Sequence, residues 1–121
     1  VGALKYRNQV LRLTRGADGA VRTEVIVDDL PTAHYHAGGA LAVGPDGHLY
    51  VGVGDAMLPE VARDRSVPIG KVLRYTRDGG IPPDNPVAGS PVYASGLRNT
   101  QALAWLPDGT LLGVEHGPSG M

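Results

Sequence analysis

Short apolar runs closed by turn residues follow one another along this chain, and they predict strands arranged in pairs. Residues 10–13 (VLRL) mix apolar and basic positions as a half-buried strand does. Ala17, Asp18 and Gly19 supply a turn, and residues 21–30 (VRTEVIVDDL) run back. Residues 39–44 (GALAVG), then Pro45, Asp46 and Gly47, then residues 48–53 (HLYVGV) spell a hairpin. In such a turn Pro presets φ, Asp hydrogen-bonds its own backbone and Gly accepts a positive φ. A further strand is expected over residues 71–75 (KVLRY), ending at Arg77, Asp78 and Gly79, and a short one over 91–94 (PVYA). Residues 101–106 (QALAWL), then Pro107, Asp108 and Gly109, then 110–115 (TLLGVE) form another hairpin. Helical periodicity is confined to residues 59–64, and Pro59 restricts even that segment.

Two of these hairpins repeat. Ala40, Leu41 and Ala42 followed by Pro45, Asp46, Gly47 and Leu49 match Ala102, Leu103 and Ala104 followed by Pro107, Asp108, Gly109 and Leu111. Repeated antiparallel units with turn signals point to the blades of a β-propeller, which recur every ~40–50 residues. Loop-like material at residues 55–70 and 79–90 accounts for the longer interval here.

Composition agrees with an ordered β protein. The 121 residues include 18 Gly and 10 Pro, placed between apolar runs where turns belong, with no Phe and one Trp. Eleven basic and twelve acidic residues are interspersed and leave a net charge of −1. With no basic face, nucleic acid and anionic membrane are poor partners. The absence of Cys rules out disulfides and thiolate metal sites. No apolar run is long enough to span a membrane.

Candidate chemistry lies in a few segments. His34 and His36 would point to the same side if their segment were extended, and Gly38 and Gly39 directly after them allow close backbone approach. A neutral His there suits proton abstraction, although a structural histidine fits the residues as well. Arg98 and Asn99, on a loop marked by Gly96, suit a ligand bearing carboxylate or quinone oxygens, or else simply form a surface turn. Gly117 and Pro118 offer backbone carbonyls of the kind Ca²⁺ takes, in what is otherwise a plain turn. Asp55, at a strand end after Gly54, reads as a turn cap more readily than as a ligand. Lys71 reads equally as ligand-facing or solvent-facing.

Taken in order, residues 36–55 (HAGGALAVGPDGHLYVGVGD), 70–86 (GKVLRYTRDGGIPPDNP), 96–109 (GLRNTQALAWLPDG) and 115–118 (EHGP) resemble the glucose/sorbosone dehydrogenase family. These are the soluble aldose dehydrogenases that use pyrroloquinoline quinone (PQQ), and the resemblance covers nearly the whole chain. It implies an all-β fold: about two to three blades of a six-bladed β-propeller, with residues 1–121 a fragment of one such domain, truncated at both ends. By the same resemblance the protein oxidises aldose sugars at the anomeric carbon to lactones, using PQQ and Ca²⁺. His36 would be the catalytic base, and Arg98 would both bind the quinone and stabilise charge on it. Asn99 would bind the quinone, and the carbonyls of Gly117 and Pro118 would ligate Ca²⁺. The resemblance further implies an external electron acceptor, a periplasmic or secreted location and a possible homodimer of the full-length protein. Thr100 departs from the family pattern, which usually has Pro there. The fragment alone is expected to be a poor enzyme, because a propeller shares its site among blades. A non-catalytic binding propeller and a Ca²⁺-dependent lactonase-type propeller are the alternative readings.

Overall fold

The computed structural model describes residues 4–118, folded as antiparallel strands with a single 3-10 turn at Pro59–Val61. β1 (Tyr6–Arg15) and β2 (Val21–Thr32) form a two-stranded sheet. β3 (Leu41–Val43), β4 (Leu49–Val53), β5 (Lys71–Tyr75) and β6 (Val92–Ser95) form a four-stranded sheet in chain order. β7 (Thr100–Trp105) and β8 (Leu111–Glu115) pair as a second two-stranded sheet. The all-β expectation holds, and the middle sheet is a complete four-stranded meander of the kind that makes a propeller blade. β1 runs further than its apolar stretch because ladder bonds require only backbone: Tyr6 pairs with Thr32 and Arg15 with Val21. β3 is shorter than expected. Gly39 N–H donates to the Gly52 carbonyl while Gly52 N–H donates to Ala40, so two residues oppose one in a bulge.

Four connections use the same turn. The N–H groups of Gly19, Gly47, Gly79 and Gly109 donate back to the carbonyls of Gly16, Gly44, Thr76 and Leu106, three residues earlier. Each of these glycines has a φ between 78° and 87°. In three of the turns the preceding aspartate (Asp18, Asp46 or Asp108) accepts the N–H two residues on. This is a type I turn closed by a left-handed glycine, and the Asp-Gly pair is its chemical signature. The repeat read in the sequence is therefore a repeat of structure.

The core is centred on the middle sheet. All five residues of β4 and all five of β5 are buried, so both faces of these strands are covered. Val10, Val27 and Leu30 from the first hairpin pack with Leu49, Val51, Val53, Leu73 and Val92. Trp105 of β7 meets Tyr50 of β4 edge-on at 4.9 Å, joining the last hairpin to the same core.

Two buried cations hold the loops. Lys71 is 0% exposed, which corrects the solvent-facing reading. Its Nζ donates to the carbonyls of Ala62 (2.6 Å) and Ile69 (2.7 Å), tying the β4–β5 loop to β5. Burial lowers its pKa, and Asp64 opposes that. Arg74 donates to Asp46 (2.8 Å), Asp84 (2.8 Å) and Asn85 (3.0 Å). Burial alone would raise the Asp46 carboxyl, but bonds from the His48 N–H, Arg74 and Tyr50 outweigh it and carry the group down to about 2. Because its folded pKa lies below the ordinary 3.8, Asp46 contributes stability that is complete above about pH 4 and lost as pH falls toward 2. Acid unfolding of the whole protein followed by circular dichroism is expected to show this loss. Asp46→Asn should be less stable at neutral pH and have a flatter profile in that window.

Candidate active site

Alternate connections gather at opposite ends of the sheets. The Asp-Gly turns occupy one end, where Arg77 Nε donates to Gly47 O and Arg12 pairs with Asp78. Segments 33–40, 54–70, 96–99 and 116–118 converge at the other. There, Asp55 N–H donates to Arg98 O (2.7 Å), Ala56 N–H to His36 O (3.3 Å) and His116 N–H to Asn99 O (3.1 Å).

His36 has a φ of 53°, so the segment bends and is not extended. The two imidazoles therefore part: His34 Nε2 meets the exposed Tyr6 hydroxyl at 2.7 Å, while His36 turns inward. His36 Nδ1 lies 2.6 Å from Asp55 Oδ1, and the two side chains are 15% and 3% exposed. An ionised carboxylate only accepts, so Nδ1 donates to it, and in the neutral ring the lone pair is then on Nε2. Asp55 Oδ1 also accepts the Met57 N–H (3.0 Å). It is thus both the turn cap read in the sequence and the residue that orients His36, a role the sequence did not reveal.

The chain reaches this bend through close backbone contact. A Cβ on Gly54 would overlap the His36 carbonyl, and one on Gly38 would overlap the Gly52 carbonyl. Only glycine lets the two segments touch there.

Arg98 and Asn99 sit on the β6–β7 loop. Glu115, read in the sequence only as the first residue of the 115–118 motif, anchors them: its carboxylate accepts the N–H groups of Arg98 (2.7 Å) and Asn99 (3.2 Å) and the Thr100 hydroxyl. A hydroxyl at position 100 thus has a defined bond that Pro would lack. Arg98 Nη1 donates to the carbonyls of His116 (2.6 Å) and Gly117 (2.9 Å).

A cavity of about 580 Å³ opens at this end, and its lining includes His36, Asp55, Met57, Arg63, Arg98 and Pro118. The structure therefore brings His36, Arg98 and Pro118 together, with Gly117 held against Arg98. Asn99 lies behind the wall, buried, its Oδ1 accepting from Gly38 N–H (3.0 Å) and Gln101 Nε2 (3.0 Å). Arg63 and Met57 were not singled out in the sequence.

The donor set fits a planar anion with oxygen acceptors. Nε and Nη2 of Arg98 make no hydrogen bond to a described residue, and Arg63 makes none at all to one. Among the described residues there is no group of three or more His, Asp or Glu that could hold Ca²⁺.

The glucose/sorbosone dehydrogenase family model matches residues 2–121. Quinoprotein glucose dehydrogenase B of Acinetobacter calcoaceticus is 38% identical over 112 aligned residues, covering 74% of this chain and 23% of that protein. Aldose sugar dehydrogenase YliI of Escherichia coli is 35% identical, covering 70% of this chain and 24% of its own length. The chain thus spans about a quarter of the length of these curated relatives. Among solved structures, the PQQ-bound aldose sugar dehydrogenase of Streptomyces coelicolor superposes with a TM-score of 0.87 at 35% identity, over 94% of this chain and 36% of that one. An oxidoreductase of Thermus thermophilus described as a glucose dehydrogenase gives 0.84 at 43% identity, over 94% and 37%. The all-β architecture is accordingly part of the propeller of PQQ glucose dehydrogenases, and the chain belongs to the glucose/sorbosone dehydrogenase family.

Proposed function

We propose that the whole protein containing this chain oxidises aldose sugars at the anomeric carbon to lactones, with PQQ as cofactor. The observation that carries this reading is the His36–Asp55 pair beside a cavity that Arg98 also lines. When bound, PQQ supplies the two-electron acceptor for the hydride on the sugar's C1. His36 Nε2 takes the proton of the C1 hydroxyl, so the sugar loses two electrons and two protons and its C1–O bond becomes the lactone carbonyl. Asp55 holds the ring in the correct tautomer and stabilises the imidazolium that forms. Arg98 would hold the cofactor through Nε and Nη2 and offset negative charge on its oxygen. Asn99, buried behind the wall, would support the Gly38 segment through its bond to the Gly38 N–H instead of touching the cofactor.

Gly117 and Pro118 would give Ca²⁺ two carbonyls of the roughly six to eight oxygens it takes, the rest coming from outside the described residues. The Gly117 carbonyl also accepts from Arg98 Nη1, and its second lone pair would remain for the metal.

Residues 1–121 would be one part of a single propeller domain. Apolar side chains exposed on the outer hairpins, Leu13 and Val21 on one and Leu112 and Val114 on the other, would then pack against further blades, and the chain alone would be a poor enzyme. An external electron acceptor, a periplasmic or secreted location and a homodimer complete the proposal by family resemblance. No helix among the described residues is long and apolar enough to cross a membrane.

A binding scaffold has no use for a carboxylate-oriented imidazole, and the described residues lend no support to a lactonase carboxylate cluster. Dye-linked oxidation of D-glucose by the whole protein, with PQQ and Ca²⁺ each added or withheld, tests the reading. Sugar- and PQQ-dependent dye reduction with lactone formation is expected. Hydrolysis of an added lactone with no dye reduction would overturn it.

A further inference from the structure

We infer that Arg63 selects for an anionic group on the sugar, so that the preferred substrate is an aldose carrying a carboxylate or phosphate away from C1. This rests on the sugar-oxidation reading above. Arg63 lines the same cavity as His36 and Arg98 but comes from a different loop, the one between β4 and β5. The charged lining is two guanidiniums against one carboxylate, Asp55, and that carboxylate is already committed to His36. Arg98 is fixed by the carbonyls of His116 and Gly117, and the remaining positive charge is Arg63.

The acids nearest to Arg63 in sequence do not neutralise it. Asp64 accepts from Ser66 N–H (2.9 Å) and Ser66 Oγ (2.7 Å), and Glu60 does not line the cavity. The backbone under Arg63 is held firmly. The Ala62 carbonyl accepts from both the buried Lys71 Nζ (2.6 Å) and Gly96 N–H (2.7 Å). The Arg63 stem lies against Gly96, where a Cβ would sit 3.5 Å from Arg63 Cγ. A guanidinium presented from a fixed backbone loses less freedom on binding than one on a loose loop. Its planar fork matches carboxylate or phosphate oxygens, whereas a neutral sugar gives it only hydroxyls. Oxidation at C1 leaves the remote anionic group unchanged, so the redox balance is that of the neutral sugar.

The test compares kcat/KM for D-glucose, D-glucuronate and D-glucose 6-phosphate in the PQQ-loaded whole protein, wild type and variants. At least one anionic sugar is expected to exceed glucose by about tenfold or more, the size of a hydrogen bond to a charged partner. Whichever anion is favoured identifies carboxylate or phosphate as the recognised group. Arg63→Gln should lower kcat/KM for that sugar about 10–100-fold more than for glucose, mainly through KM, and Arg63→Lys should restore part of the loss. Added salt should raise KM for the anionic sugar and leave that for glucose unaffected. Glucose equal to or better than both anionic sugars would overturn the inference while leaving the sugar-oxidation reading intact. So would an equal loss for all three sugars in Arg63→Gln with weakened PQQ binding, which would place Arg63 on the cofactor. If PQQ binds and none of the three is oxidised, the sugar-oxidation reading falls and the inference with it.

Discussion

His36→Ala in the PQQ-loaded whole protein is expected to lower kcat by about 10²–10⁴-fold, the usual contribution of a positioned general base. PQQ should stay bound, because the side chains proposed to hold it lie on other segments. The expectation follows from three features of the structure. The ring is mostly buried, its Nδ1 is 2.6 Å from a carboxylate that is itself only 3% exposed, and the pair lines a cavity. Alanine removes the proposed proton acceptor and leaves the loop that carries Arg98 unaltered. The loss should therefore fall on kcat and kcat/KM together, with KM little changed, as for an interaction made in the transition state. Steady-state kinetics and a PQQ titration of the same variant make the check. A kcat within a few-fold of wild type would remove His36 from the mechanism.

Gly54→Ala is expected to be nearly as damaging, although residue 54 carries no chemistry. Its added methyl would overlap the His36 carbonyl and crowd Gly38 N. A flexible side chain could swing aside, but here the opposing atoms are backbone on both sides. Gly54 O also accepts the Gly70 N–H (2.9 Å), so movement of this residue disturbs the start of β5 as well. Overpacking of this kind typically costs about 1–3 kcal/mol. The larger effect is on activity, because a shift of about 1 Å at a catalytic group can cost about 10²-fold. Thermal unfolding and kcat measured side by side test both. Gly113→Ala serves as control, since its methyl would meet Leu103 at an ordinary 3.8 Å, and its stability change should stay within about 0.5 kcal/mol. Equal behaviour of the two variants would show that the close approach at Gly54 is unimportant.

Much of the architecture was legible because its turns have a chemical signature. An Asp-Gly pair places the positive φ where this turn requires it and, in three of the four, the side-chain acceptor as well, so Asp18-Gly19, Asp46-Gly47, Asp78-Gly79 and Asp108-Gly109 mark the same backbone turn four times. In an antiparallel meander, marking one end also marks the other, and His36, Asp55, Arg98 and Gly117 all lie on connections at the far end. The interest of His36 and Arg98, which both line the cavity, was expected from the family resemblance and from residue type.

What escaped the sequence depends on pairings across long separations. Asp55 reads as a turn cap because its local bond, to the Met57 N–H, is visible at two residues' distance. Its bond to His36 depends on a positive φ at a histidine, which residue type does not announce. The extended reading that put His34 and His36 on one side failed for the same reason. Lys71 resembles a surface lysine in an alternating strand. It is buried because the β4–β5 loop folds over it and offers carbonyls that only the three-dimensional path brings together. Glu115 was read as part of a motif. Its work is to gather the backbone N–H groups of Arg98 and Asn99, which reach it only once β7 and β8 have paired.

The most direct test of the central claim is anaerobic mixing of the PQQ-loaded whole protein with D-glucose or D-glucuronate, following the quinone absorbance in a stopped-flow instrument. The account predicts that an aldose bleaches the bound quinone in the wild type. In His36→Ala the bleaching should be slowed by orders of magnitude with the quinone still bound. A bound quinone that no aldose reduces, or one reduced at the wild-type rate without His36, would contradict it.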